Sequence, residues 1–348
     1  MSPLPESRAA TARWNRILAP FFGPETRRSV VQLVSTAVPF AGFWALSYLA
    51  LDVSFWLTLA LAFPAAGFLV RLFMIQHDCG HGSFFRSPRA RDWTGRVLGV
   101  LTLTPYEYWR KTHAWHHAHS GDLDHRGFGD IDTLTVEEYR ALSWFRRLGY
   151  RLYRHPAILF TVGPLFHFVL IHRFPWTTPR AWKKAWRSVL WTNVALAGIV
   201  VLAHFTIGLR AFLLVQGPVV AITCMAGVWL FYVQHQFETA YWRRHGDWNP
   251  TEAALEGASH LALPWPLSWL TADIGIHHVH HLSSRIPNYR LREALTAVPE
   301  LANATRLRIR DTLRPLSLAL FDETAGRLVR FRDARRAYLP SGTAGSRT

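Results

Sequence analysis

The chain has 348 residues, half of them hydrophobic, with 16 Trp, 22 Phe and 10 Tyr, which is more apolar surface than one soluble core usually buries and points to a membrane protein. Lys and Arg outnumber Asp and Glu by 39 to 23. Membrane proteins accumulate cytoplasmic Lys and Arg for topological reasons, so this balance carries no case for nucleic acid. The two cysteines, Cys79 and Cys224, exclude a disulfide framework and a cysteine-rich metal site.

Residues 1–28 hold Arg8, Arg13, Arg16, Arg27 and Arg28 among short apolar patches, without a cleavable signal pattern. They read as a cytoplasmic N-terminal segment whose Trp14, Phe21 and Phe22 rest on the membrane surface. Residues 29–51 follow as an uncharged run, roughly 35 Å long as a helix and so long enough to cross a bilayer. A second run covers residues 53–71, ended by Arg71; the link is almost nil, so the two make a helical hairpin. Beyond it come His77 and His81, then two weaker stretches at 97–106 and 157–171. The first is too short to span and the second marginal, so both are expected in the interface or against the bundle. Residues 188–209 and 211–234 form a second hairpin, interrupted only by Arg210.

Charge orients these four crossings. Residues 71–187 contain 18 Lys and Arg, while the hairpin tips offer only Arg210, so the central loop and both termini are expected in the cytoplasm. One further crossing between residues 82 and 276 would separate the histidine clusters described below. The expected fold is an all-α integral membrane protein, four transmembrane helices in two hairpins with a cytoplasmic helical cap (72–187 and 235–340) holding a histidine-rich dimetal site. The membrane domain then covers 29–340, with amphipathic runs at 291–301 and 316–331 completing the cap and a disordered tail at 341–348.

Three histidine clusters carry the chemistry: HDCGH (His77, His81), HAWHH (His113, His116, His117) and HHVHH (His277, His280, His281). Residues three and four apart share one helix face, so each cluster can aim two or three nitrogens at one place. Eight ligands exceed what one tetrahedral site uses, which suggests two adjacent, nitrogen-rich metal ions. His235, two residues past the fourth apolar run, emerges at the same height, either as a ligand or as an interfacial histidine bonded to headgroup or backbone. His278 lies off the three-and-four register and is expected to support a ligand from behind. The other eight histidines, including His119, His125 and His245, read as packing, surface or loop residues. Spacing alone does not name the metal.

The three boxes resemble those of the membrane fatty acid desaturase family. The similarity extends to His77–Phe85, Gly127–Tyr139, Phe231–Glu238 and His280–Tyr289, which look like bacterial acyl-lipid desaturases, and it covers roughly residues 30–300. The resemblance implies a centre of two iron ions, with His235 as a further ligand, in a bacterial inner membrane. Two histidines beyond the second box, His119 and His125, make a local exchange of ligands conceivable. No His-Pro-Gly-Gly motif of a fused cytochrome domain is present and no nucleotide fingerprint occurs, so a separate donor of ferredoxin, flavodoxin or cytochrome type is implied.

The expected reaction is O₂-dependent desaturation of a lipid-linked acyl chain to a cis alkene, since no side chain can oxidise an unactivated methylene and a metal centre can. Hydroxylation or ketolation of an alkane, sterol or carotenoid is the neighbouring possibility. A membrane metal transporter or sensor is a remote one, because the candidate ligands lie outside the apolar runs. The position of the new double bond is not readable.

Overall fold

The computed structural model describes residues 5–176 and 178–336; the expected tail at 341–348 lies outside them. Helix α1 (Pro5–Leu18) leads through a short 3₁₀ turn into α2 (Thr26–Leu49). Ser54 accepts a hydrogen bond from the Trp56 amide and so caps α3 (Phe55–His81), which ends where Gly82 takes the left-handed conformation at φ +81°. Arg71 ends the apolar run without ending the helix. It is buried, with Nε donating to Thr36 Oγ1 at 3.2 Å, Nη1 donating to the Trp269 carbonyl and the guanidinium 4.1 Å from the Trp269 ring centroid. Six further residues of α3 thereby carry His77 away from the apolar boundary.

Helix α4 (Pro88–Leu101) starts from a Ser87 cap, and α5 (Tyr106–His119) carries the second histidine box. Strand β1 (Leu134–Thr135) runs into α6 (Val136–Ala141), which Thr135 and Glu138 hold by a reciprocal capping box. There follow α7 (Trp144–Tyr153) and a mixed helical stretch, π-helical at Ile158–Val162 and Phe166–Leu170 around α8 (Gly163–Leu165). The long helices α9 (Lys183–Thr206) and α10 (Leu209–His235) are broken by Gly208 at φ +83°. The remainder is short: α11 (Pro250–Glu256), β2 (His260–Ala262), α12 (Trp265–Leu270), α13 (His277–Leu282), α14 (Asn288–Ala297), β3 (Arg306–Arg308), β4 (Leu320–Asp322), β5 (Arg327–Val329) and α15 (Phe331–Arg336).

Among the described residues four helices, α2 with its following turn, α3, α9 and α10, are long and apolar enough to cross a membrane. In α3 56% of the apolar window is buried inside the protein, against 17% in each of the others, so α3 is the central helix. Ala62, Ala65 and Ala66 let neighbours approach it closely, and Val219 of α10 joins the same core. The other three turn large apolar side chains outward, among them Val30, Val34 and Val38 on α2 and Leu190, Trp191 and Val201 on α9. A continuous apolar exterior of this extent fits a membrane protein.

Residues 144–173 contain a pair of helical segments bent by 57°, which together would make a fifth span. Packing argues against it. Arg154, at the end of α7, is buried and donates to the carbonyls of Asp132 and Leu318 and to Gln236 Oε1, each at 2.9 Å. Tyr150 donates to the Ala319 carbonyl at 2.6 Å. These bonds hold α7 to the body built from β1 and β4, leaving only residues 158–173, roughly 24 Å as a helix and too short for a bilayer core of about 30 Å.

Two expectations are corrected. The protein is mostly rather than wholly helical: β1 pairs parallel with β4 and β4 antiparallel with β5, so part of the amphipathic run at 316–331 is a strand pair, while β2 pairs parallel with β3. Trp14 and Phe21 do not rest on a membrane surface. With Leu18 they are buried against Ile276, Val279, Ile286 and Leu291, and Phe22 packs beside them. The N-terminal segment thus backs the helix of the third histidine box. Trp14→Ala should destabilise the protein by about 3 kcal/mol, the cost of a large buried aromatic, read as a lower thermal midpoint in detergent. An unchanged midpoint would return Trp14 to the surface.

Candidate metal centre

The last turn of α3 presents His77 and His81, α5 presents His113, His116 and His117, the end of α10 presents His235, and α13 presents His277, His280 and His281. The structure brings all nine into two adjoining groups. One contains His77, His81, His113, His117 and His280, the other His116, His235, His277 and His281, and within each group the ligand nitrogens lie within 4.8 Å of one another. Neighbours in sequence divide between the groups, as His116 and His117 do, and His280 and His281. The His117 and His281 rings stack with centroids 4.1 Å apart across the division. The helix face of the second box therefore serves both groups.

Four pairs of imidazole nitrogens meet at hydrogen-bonding distance, and His117 Nε2 meets two partners at once. His113 and His117 approach through Nε2 atoms at 3.1 Å, His117 and His280 at 3.1 Å, His235 and His277 at 2.9 Å and His116 and His281 at 3.3 Å. The Nε2 atoms of His77 and His81 are buried without any hydrogen-bond partner. One Nε2 offers either one proton or one lone pair, so His117 cannot pair fully with both His113 and His280, and orphaned buried acceptors are costly unless a cation lies against them. This donor set fits two metal ions, one to each group. Burial, followed by neighbouring imidazoles, holds His113, His117, His277, His280 and His281 well below the ordinary histidine range, which keeps them in the neutral form that binds metal.

Outer contacts orient the rings. His77 donates from Nδ1 to Asp78 Oδ1 at 3.1 Å, and Asp78 Oδ2 accepts from the backbone and side-chain amides of Asn288 at 2.7 and 2.8 Å. His116 donates from Nδ1 to Asp130, and His235 donates from Nδ1 to the Gly257 carbonyl at 3.2 Å. Each bond places the proton on the outer nitrogen and turns the Nε2 lone pair inward. Gly129 makes the Asp130 contact possible: its φ is +81°, and a Cβ there would lie 2.8 Å from the Thr112 carbonyl of α5. His113 is stacked on Trp109 with centroids 4.5 Å apart.

Asp78, Asp130, Asn288 and Gly257 are absent from the histidine pattern. Adjacency to His77 is the one local signal for Asp78, and nothing in sequence links Asp130 to His116. His278 faces away from both groups and binds the Leu301 carbonyl through Nε2 at 2.9 Å; burial pushes it down to about 4. The conceivable exchange involving His119 and His125 does not occur. His119 donates to the Trp115 carbonyl, and His125 turns to Asp122. Beside His81 opens a cleft of about 720 Å³, lined by Arg91, Arg110, Lys111, Lys183 and Lys184 with Glu107.

Comparison with known proteins agrees with this geometry. Residues 54–312 match the family Fatty acid desaturase. The chain is 46% identical over 315 residues to a Bacillus subtilis protein named fatty acid desaturase, covering 90% of this chain and 89% of that one. It is 31% identical over 296 residues to the sn-1 acyl-lipid omega-3 desaturase (ferredoxin) of a Synechocystis species, covering 82% and 78%. An sn-1 oleoyl-lipid 12-desaturase from the same organism is 28% identical over 280 residues, covering 78% and 74%. With its histidine cluster set at the ends of apolar helices, the chain belongs to the fatty acid desaturase family.

Proposed function

We propose that this protein introduces a cis double bond into a lipid-linked fatty acyl chain, using O₂ and two electrons from a separate donor. Two iron ions are the metals proposed, held by His77, His81, His113, His117 and His280 and by His116, His235, His277 and His281. The observation that carries the reading is the pair of adjoining all-imidazole groups, buried or half-buried, at the ends of α3 and α10, in a chain of the desaturase family. Bound iron would supply the oxidising power that no side chain has. The protein's own residues turn the Nε2 lone pairs of His77, His116 and His235 inward through Asp78, Asp130 and Gly257, and burial keeps His113, His117, His277, His280 and His281 in the neutral form.

The orientation that best accounts for the charge distribution places both termini, the central loop and the histidine groups on the cytoplasmic side of a bacterial inner membrane, with α2–α3 and α9–α10 as two hairpins. A substrate dissolved in the bilayer then reaches the centre without leaving the lipid. The cleft beside His81 has five cationic residues against one carboxylate, which suits docking of an acidic donor of ferredoxin, flavodoxin or cytochrome type. The relative named for ferredoxin supports a donor of that kind.

Expression in a host lacking desaturases, followed by mass spectrometric location of double bonds, tests the reading. New cis-unsaturated acyl lipids are expected. Products that instead retain an oxygen atom would replace desaturation with hydroxylation or ketolation.

A further inference from the structure

A third group of ligating side chains lies apart from the nine histidines. Asp122, His125 and His245 each offer a ligand atom within 4.8 Å of the others. Both imidazoles point Nδ1 at one oxygen: Asp122 Oδ2 is 2.9 Å from His125 Nδ1 and 2.7 Å from His245 Nδ1. Asp122 is fully buried, whereas His125 and His245 are close to 40% exposed, so the group has a dry carboxylate floor and an open mouth. The other carboxylate oxygen of Asp122 accepts from the Asp124 amide at 3.0 Å, which fixes the side chain in place.

Surrounding contacts preorganise the two loops that carry these residues. Leu123 donates to the Arg243 carbonyl and Arg243 donates to that of Gly121, both at 2.9 Å, so the segment after α5 runs beside the segment after α10. Asp124 accepts from the His245 amide at 2.9 Å and from Arg244 at 2.8 Å. Arg244 is also paired in a fork with Glu323, which offsets its charge.

We propose that Asp122, His125 and His245 form a third metal site, which takes one divalent transition cation of the zinc type. Two imidazoles and one carboxylate with an open position is a donor set that such cations accept, water completing the coordination. A carboxylate oxygen only accepts, so without metal both Nδ1 atoms carry the proton. The cation takes their place as each ring, bound in its neutral form, keeps its one proton on Nε2; a ring that starts doubly protonated releases its Nδ1 proton to water, and no redox step is involved. Tetrahedral zinc separates its ligand atoms by about 3.3 Å, so the half-exposed rings move outward by about 0.5 Å on binding. The ion then ties the chain continuing from His116 and His117 to the chain continuing from His235. The site is independent of the desaturase reading, since none of its residues belongs to the nine-histidine groups.

The test uses the full chain in detergent, equilibrated with zinc chloride, passed through a desalting column and analysed for zinc and iron per chain. Wild type is expected to retain one more zinc than His125→Gln/His245→Gln, with iron content equal in the two, and Asp122→Asn to bind that zinc at least tenfold more weakly. Zinc should also raise the thermal midpoint of wild type and leave that of the double variant unmoved. Equal zinc retention by wild type and a double variant that elutes and melts as a folded protein would overturn the site and leave a hydrogen-bonded clasp in its place. Because the two substituted histidines are half-exposed, that variant remains informative even where Asp122→Asn fails to fold.

Discussion

Replacing His113 by alanine should abolish desaturation and lower bound iron while leaving membrane insertion intact. His113 contributes to the five-imidazole group, with its Nε2 3.1 Å from that of His117 and its ring stacked on Trp109. The substitution removes a nitrogen from a centre where burial holds His117 and His280 in the neutral form, and it opens space next to the orphaned Nε2 atoms of His77 and His81. Changes to residues that merely support a ligand typically cost 10–100-fold, so loss of a ligand should exceed about 100-fold in activity. Iron per chain by elemental analysis, product by mass spectrometry and membrane fractionation together check the prediction. Full activity with full iron would remove His113 from the centre.

Asp130→Asn is the second large effect, and it acts through orientation. The carboxylate accepts from His116 Nδ1 and so commits the Nε2 lone pair to the four-imidazole group, where it faces His281 at 3.3 Å. An asparagine amide is nearly the same shape but can turn its NH₂ toward Nδ1, which places the imidazole proton on Nε2 and blocks coordination. Metal affinity should fall about 10–100-fold, measured as faster loss of iron to a chelator, with the fold intact. A variant that releases iron at the wild-type rate would mean that the loop at Gly129 brings Asp130 to His116 for packing alone.

Much of this centre was readable in one dimension because its strongest signals are local. A three-and-four histidine spacing states which nitrogens share a helix face, whereas His278, expected to support a ligand from behind, bonds to the Leu301 carbonyl instead. Apolar length likewise marks the four long helices. The runs misplace the helix ends, since charge ends an apolar run while helical hydrogen bonding continues: α3 passes Arg71 by ten residues to reach His81 because Thr36 and Trp269 satisfy the buried guanidinium.

The remaining features depend on partners distant in sequence. Trp14 and Phe21 look the same on paper whether their apolar face meets lipid or protein, and only the position of Val279 and Leu291 decides for protein. Strands of two or three residues carry too little periodicity to be seen before their neighbours exist. The linear pattern therefore determined which residues could bind metal and which helices could meet a bilayer, through spacing and length that each segment holds by itself. Tertiary structure decided how nine imidazoles divide into five and four, why Asp78, Asp130 and Gly257 orient them, and that His125 and His245 join Asp122 instead. Those outcomes rest on distances between segments, which appear only when α3, α5, α10 and α13 are packed together.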